Sequence, residues 1–176
     1  MKALIVYESM FGNTKTVAAA IGSGLSLHMD VRLEPVDASV TVGDDIDLVV
    51  VGGPTHAFSM SRPQTRAEAT SQGASMGTAA TGIREWLAAQ PHQSAGARIA
   101  TFDTRMEKVR HLPGSAARRA AKAAGGLGYD LAARPESFYV IGTSGPLAAG
   151  ELERAHIWGE RLAATVGVTG HAKTPD

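Results

Sequence analysis

Residues 2–14 read Lys-Ala-Leu-Ile-Val-Tyr-Glu-Ser-Met-Phe-Gly-Asn-Thr. The first six form a continuous apolar run with no polar alternation, which predicts a strand covered on both faces, as in a parallel sheet. From Thr14 to Leu25, Val17, Ala20, Ile21, Gly24 and Leu25 recur at helical spacing. A buried strand that passes straight into a helix is the first half of a βα unit. The turn between them, Ser9–Thr14, lies where such sheets bind ligands.

The same alternation continues along the chain. His28–Pro35 reads as a second strand with Met29, Val31 and Leu33 inward, and Asp44 and Asp45 lie in a polar bridge. Asp47–Val51 is a buried strand stopped by Gly52-Gly53-Pro54. Thr55–Gly82 is polar and reads as one long loop. Thr81 is the expected N-cap of a helix through Ile83, Trp86 and Leu87, stopped by Pro91. Ala97–Phe102 is a fourth strand, Asp103–Pro113 a basic loop, and Ser115–Ala124 a helix stopped by Gly125-Gly126. Glu136–Ile141 is a fifth strand and Gly142–Gly150 a loop. Glu151–Val166 is a helix with Leu152, Ala155, Gly159, Leu162, Ala163 and Val166 inward. Five strands alternating with helices predict a doubly wound α/β domain over residues 1–166, followed by a frayed tail over 167–176.

The chain has 176 residues, 44% apolar and 19% charged, enough for one packed domain. The absence of Cys excludes a disulfide framework, a thiolate nucleophile and a Cys-based metal site. Seventeen bases balance seventeen acids, which disfavours a nucleic-acid binder. The balance is uneven, however. Residues 1–60 carry three bases against seven acids, and Asp103–Lys122 carries six bases against two acids. No apolar run is long enough to span a membrane or to serve as a signal peptide, so a cytoplasmic protein is expected.

Ser9, Met10, Phe11, Gly12, Asn13 and Thr14 have the chemistry of an anion cradle. A helix N-terminus offers unpaired N–H groups, Gly12 permits a tight turn, and short hydroxyl and amide side chains add donors. Neither the Gly-Lys-Ser/Thr loop of nucleotide triphosphatases nor a three-glycine dinucleotide loop is present.

Lys2–Thr16 resembles the first strand and phosphate loop of the flavodoxin family, in which Ser/Thr-x-x-Gly-x-Thr grips the FMN phosphate. Asp47–His56, reading DLVVVGGPTH, is similar to that family's third strand and first flavin loop, and Ala97–Asp103 and Phe138–Gly145 to its fourth and fifth strands. The resemblance implies strand order 2-1-3-4-5 and FMN as cofactor. Pro54, Thr55, His56 and Phe58 would form the first flavin loop, and Asp103, Thr104 and Arg105 would fall in the second. Neither loop carries Trp or Tyr, and the second is basic.

The implied function is electron transfer through FMN to a redox protein partner. One alternative is a flavin-dependent reductase or dehydrogenase acting on a small molecule such as a quinone or porphyrinogen, with Thr55–Gly82 walling its pocket. Another is a binding module that has lost the flavin. His56 reads either as a flavin or substrate contact or as a loop His bonded to backbone. Phe58 could cover the flavin or pack the loop, and Asp103 could accept from the ring or cap the loop. Arg105 could meet an anion or lie solvated. The remaining histidines lack metal-ligand spacing, and Trp86 and Trp158 read as packing residues.

Overall fold

The computed structural model describes residues 1–92 and 96–169. Five parallel strands form the sheet: β1 (Lys2–Tyr7), β2 (Asp30–Pro35), β3 (Leu48–His56), β5 (Arg98–Met106) and β6 (Glu136–Val140), in the order β2-β1-β3-β5-β6. Their chain sequence gives the expected 2-1-3-4-5 arrangement. A two-residue strand, β4 (Ser59–Met60), folds back antiparallel on the end of β3.

Helices cover both faces, because the strands alternate between two apolar sets. Ala3, Ile5, Tyr7, Leu48, Val50 and Phe102 pack under α1 (Asn13–Leu25) and α5 (Glu151–Thr169). Leu4, Val6, Val49, Val51 and Ile99 pack under α3 (Ile83–Ala88) and α4 (Ala116–Gly126). Trp86 and Trp158 are both buried. Trp158 meets Phe102 and Phe138 edge-on, and Trp86 Nε1 donates to the Val40 carbonyl. Helices α1 and α5 cross at Gly24 and Gly159. A Cβ on Gly24 would lie 2.0 Å from the His156 carbonyl oxygen, and one on Gly159 would lie 2.3 Å from that of Ile21.

Several boundaries differ from the sequence reading. Gly52-Gly53-Pro54 does not end β3, which runs on to His56, because Gly52, Gly53 and Pro54 pair with Phe102, Asp103 and Thr104 of β5. The expected loop from Thr55 to Gly82 contains β4 and a helix, α2 (Pro63–Ser71). Leu33 is 37% exposed, since β2 is an edge strand, and Leu152 is 44% exposed on α5. Asp44 and Asp45 form only a turn. Gly125 and Gly126 are the last residues of α4 rather than its stop. Helix α5 continues past Val166 to Thr169, and residues 170–176 of the expected tail, His171 among them, lie outside the described residues. Among the described residues, no helix is long and apolar enough to cross a membrane.

The two edges of the sheet differ. On β6, outward-facing backbone groups are occupied from within the chain. Glu151 Oε2 accepts the Tyr139 N–H, Arg154 donates to the Ser137 carbonyl, and Ala148 N–H and the Pro146 carbonyl meet Tyr139 and Ile141. On the other side, β2 pairs only with β1.

Candidate functional site

A cavity of about 270 Å³ opens beyond the carboxyl ends of β1, β3 and β5. Met10, Phe11, Asn13 and Thr14 line one side; Pro54, Thr55, His56 and Ala57 a second; and Thr104, Arg105, Met106, Val140 and Thr143 a third. This is the switch point of the sheet, where neighbouring crossovers leave in opposite directions.

Gly12, at φ +91°, turns the chain into α1 and, as N-cap, brings no side-chain acceptor of its own to that helix. Its first-turn N–H groups have no intrahelical acceptor and carry the positive end of the dipole. The Lys15 N–H is directed at Ser9 Oγ, 3.3 Å away. Thr14 and Thr104 are both buried, with their hydroxyl oxygens 2.7 Å apart. One hydrogen fills the space between them, which leaves the second hydroxyl hydrogen of the pair for a ligand. Ser9 and Gly12 lie outside the lining because residues 74–78 pass over them. The Met76 N–H donates to the Met10 carbonyl at 3.2 Å, and a Cβ on Gly77 would stand 3.1 Å from the Ser9 carbonyl oxygen.

The other candidates divide between lining and support. Asn13 lines the cavity but spends its amide on the Ser144 carbonyl, 3.1 Å away. Thr55 also lines it, while its hydroxyl accepts the Ala116 N–H at 2.8 Å. Asp103 is fully buried and lies outside the lining; its Oδ2 accepts the Ala117 N–H at 2.9 Å, so it holds the first turn of α4. Burial pushes the Asp103 carboxyl up, and the bond from Ala117 opposes this.

Arg105 is neither solvated nor free to swing. It is buried, and its Nη2 donates to the carbonyls of Val109 and Leu112, at 2.6 and 3.2 Å. Its Nε is buried with no hydrogen-bond partner. His56 is half-buried in the lining, and burial, followed by the nearby Arg66 charge, pushes its imidazole below the usual histidine range. Phe58 does not line the cavity. It is 46% exposed at the tip of the β3–β4 hairpin, where Ala57 and Phe58 both adopt positive φ, 47° and 61°.

The sequence reading missed the wall contributed by α2. Thr65, Glu68 and Ala69 of that helix, with Gln72 just after its end, line the cavity. Helix α2 has almost no apolar stripe, so periodicity cannot reveal it; only Arg66 and Ala69 are buried. A signal was present at its start, where Pro63 follows Arg62 and Thr65 Oγ1 accepts the Arg62 N–H at 2.9 Å. Arg66, 0% exposed, anchors the insert, donating to Ser61 Oγ and to the Ala79 and Ala80 carbonyls and pairing with Glu85 at 3.0 Å. Thr81 is not the cap of α3. Instead Glu85 accepts the Gly82 N–H and Glu8, on the far side of the insert, accepts that of Ile83.

No family model matches the chain, and no curated protein matches it. Solved structures do. A flavodoxin from the domain Archaea is 21% identical, with a TM-score of 0.61 over 95% of this chain and 99% of that one. Flavodoxin 2 from Bacillus cereus is 17% identical, with a TM-score of 0.62 over 93% and 99%. An oxidoreductase from Corynebacterium diphtheriae is 11% identical, with a TM-score of 0.56 over 96% and 98%. With that sheet order and these neighbours, the chain is a divergent protein of the flavodoxin-like fold.

Proposed function

We propose that the cavity binds FMN and that the protein carries electrons through it to a redox protein partner. One observation carries this reading: the N-terminus of α1 and the Thr14–Thr104 hydroxyl pair border the same cavity as the ends of β3 and β5. The donor set fits the group. The first-turn amides and Thr14 suit a phosphate, and Pro54–His56 and Thr104–Met106 suit the two sides of a ring. The buried, unpartnered Nε of Arg105 offers a cationic donor to a ring oxygen or nitrogen. Bound FMN would supply one- and two-electron redox chemistry. The chain would supply position, exclusion of water and a cation held in the wall.

Phe11 is the one Phe, Tyr or Trp among the lining residues, so the ring would lie against aliphatic and polar groups. The decisive experiment is an absorbance titration of flavin-free protein with FMN and with riboflavin. A stoichiometric, red-shifted flavin band with FMN supports the reading, and no uptake at micromolar FMN would refute it.

The α2 wall favours a second reading, a reductase of a small molecule. Thr65, Glu68 and Gln72 present polar groups to the same space as His56, which suits a carbonyl-bearing acceptor. Steady NAD(P)H oxidation with a quinone, without a partner protein, would select this reading.

A further inference from the structure

The hairpin tip and the loop after β5 build a surface that the cavity does not use. Phe58 stands 46% exposed at the tip, held there by two consecutive non-glycine residues in left-handed backbone. Such backbone costs about 1–2 kcal/mol per residue, so this chain maintains the outward Phe58 against a local preference. The tip rests on the loop below it. A Cβ on Gly114 would lie 2.7 Å from the Phe58 carbonyl oxygen. Two residues before Gly114 is Leu112, 47% exposed, whose carbonyl is held by the cavity-lining Arg105. The apolar pair therefore sits on the structure that walls the cavity.

The exposed charges along this loop and the start of α4 are nearly all of one sign. Lys108, Arg110, Arg118 and Arg119 are exposed in the loop and on the first turn of α4, with Lys122 one turn further. Glu107 is the one acid between Asp103 and Lys122 that is not buried, and it pairs with Arg110 at 3.1 Å. The chain as a whole is neutral, so this concentration of cations is local.

We propose that Phe58 and Leu112, together with the cations of this loop and of α4, form the docking face for an acidic redox protein. The proposal rests on the FMN reading, for it gives that site its partner. An apolar centre with a charged rim is the anatomy of a protein interface: the rim steers encounter, and the aromatic anchor holds the complex. Charge complementarity fixes the partner's sign.

The test titrates the protein, with and without FMN, against a fluorescently labelled acidic plant-type ferredoxin, with basic cytochrome c as control, and reads anisotropy. FMN uptake is measured separately by absorbance, so loss of the cofactor reading and loss of the docking reading are distinct results. Binding of ferredoxin and not of cytochrome c is expected, weakening roughly tenfold or more between about 20 and 200 mM salt. Lys108→Glu with Arg118→Glu should weaken it by a further tenfold or more. Phe58→Ala and Leu112→Ser should each weaken it at least threefold at the higher salt, where long-range attraction is screened, without altering FMN uptake. Charge dependence with no effect of either apolar substitution would overturn the proposal, because it would describe an unspecific cation patch. So would capture of phosphatidylserine vesicles, abolished by the same charge reversals, without ferredoxin binding.

Discussion

The hydroxyl oxygens of Thr14, in the first turn of α1, and Thr104, on β5, lie 2.7 Å apart, buried at the border of the cavity. This contact ties the start of α1 to β5. It also leaves one hydroxyl hydrogen for a ligand.

Thr14→Ala should therefore weaken FMN roughly 10- to 100-fold, since a hydrogen bond to a charged group contributes about 1.5–3 kcal/mol. Riboflavin, lacking the phosphate, should lose much less. Fluorescence-quenching titrations with both flavins check this, and equal losses would remove Thr14 from the phosphate site.

Gly24→Ala should destabilise the fold by about 1–3 kcal/mol, the usual cost of forcing extra volume into a packed contact. The added methyl would meet the His156 carbonyl at 2.0 Å, so α1 and α5 must separate. Urea unfolding reads the loss. FMN affinity should fall with it, because the start of α1 moves with the helix. An unchanged midpoint would mean that the crossing relaxes at no cost.

Glu8 gives the fold a pH dependence. It is buried, and burial pushes its carboxyl above the ordinary 4.5, against opposing bonds from Ser61 and Ile83 and the charge of Arg66. The folded protein thus keeps a proton that the unfolded chain releases. The stability from this group is full below about pH 4.5 and is lost as pH rises through the folded value. Relative to Glu8→Gln, the wild type should lose stability as pH is raised above about 4.5, until the folded carboxyl has ionised. Parallel stability curves across that range would show Glu8 to be ionised in the fold.

Arg66→Met removes the donor that ties α2 to Ala79, Ala80 and Glu85. The cost should reach about 2 kcal/mol or more, as several charge-assisted bonds inside the fold lose their donor. Limited proteolysis should then cut within residues 62–82 before any other region, with the strands left intact. Cleavage rates equal to wild type would contradict the anchoring role.

Ala57→Gly should have the opposite effect. Relief of left-handed strain, about 1–2 kcal/mol, exceeds the added unfolded-state entropy of glycine, about 0.5–1 kcal/mol. A gain of roughly 1–2 °C in Tm is expected. A fall would show that the surrounding contacts already favour this backbone.

The strands and helices with strong apolar patterning were legible in the sequence: β1, β3, α1 and the helices that close the two faces. The polar ends of the cavity strands were not. Pattern alone ended the fourth main strand at Phe102, because Asp103-Thr104-Arg105 reads as loop. The strand continues because each of those side chains finds a partner that sequence cannot display: the Ala117 amide, the Thr14 hydroxyl and the Val109 carbonyl. For the same reason Asp103 and Arg105 read in sequence as ligand contacts, a loop cap or surface charges, while in the structure Asp103 braces α4 and Arg105 holds the loop before it from the cavity wall. Helix α2 was invisible for lack of a stripe, and with it the whole wall of Thr65, Glu68 and Gln72.

The unequal edges of the sheet bear on how this molecule could misassemble. A strand from another chain, or a stretch of nascent polypeptide, would find β6 already saturated by Glu151, Arg154 and the 146–148 segment. Among the described residues, β2 is the main-sheet edge left with a row of backbone groups, and it is short, charged at Asp30, Arg32 and Glu34, and closed by Pro35. Two molecules could join β2 to β2, but each would then present only its sealed β6 edge. Aggregation by sheet extension would stop at the pair, so a fibril would first have to unfold α5 to expose β6.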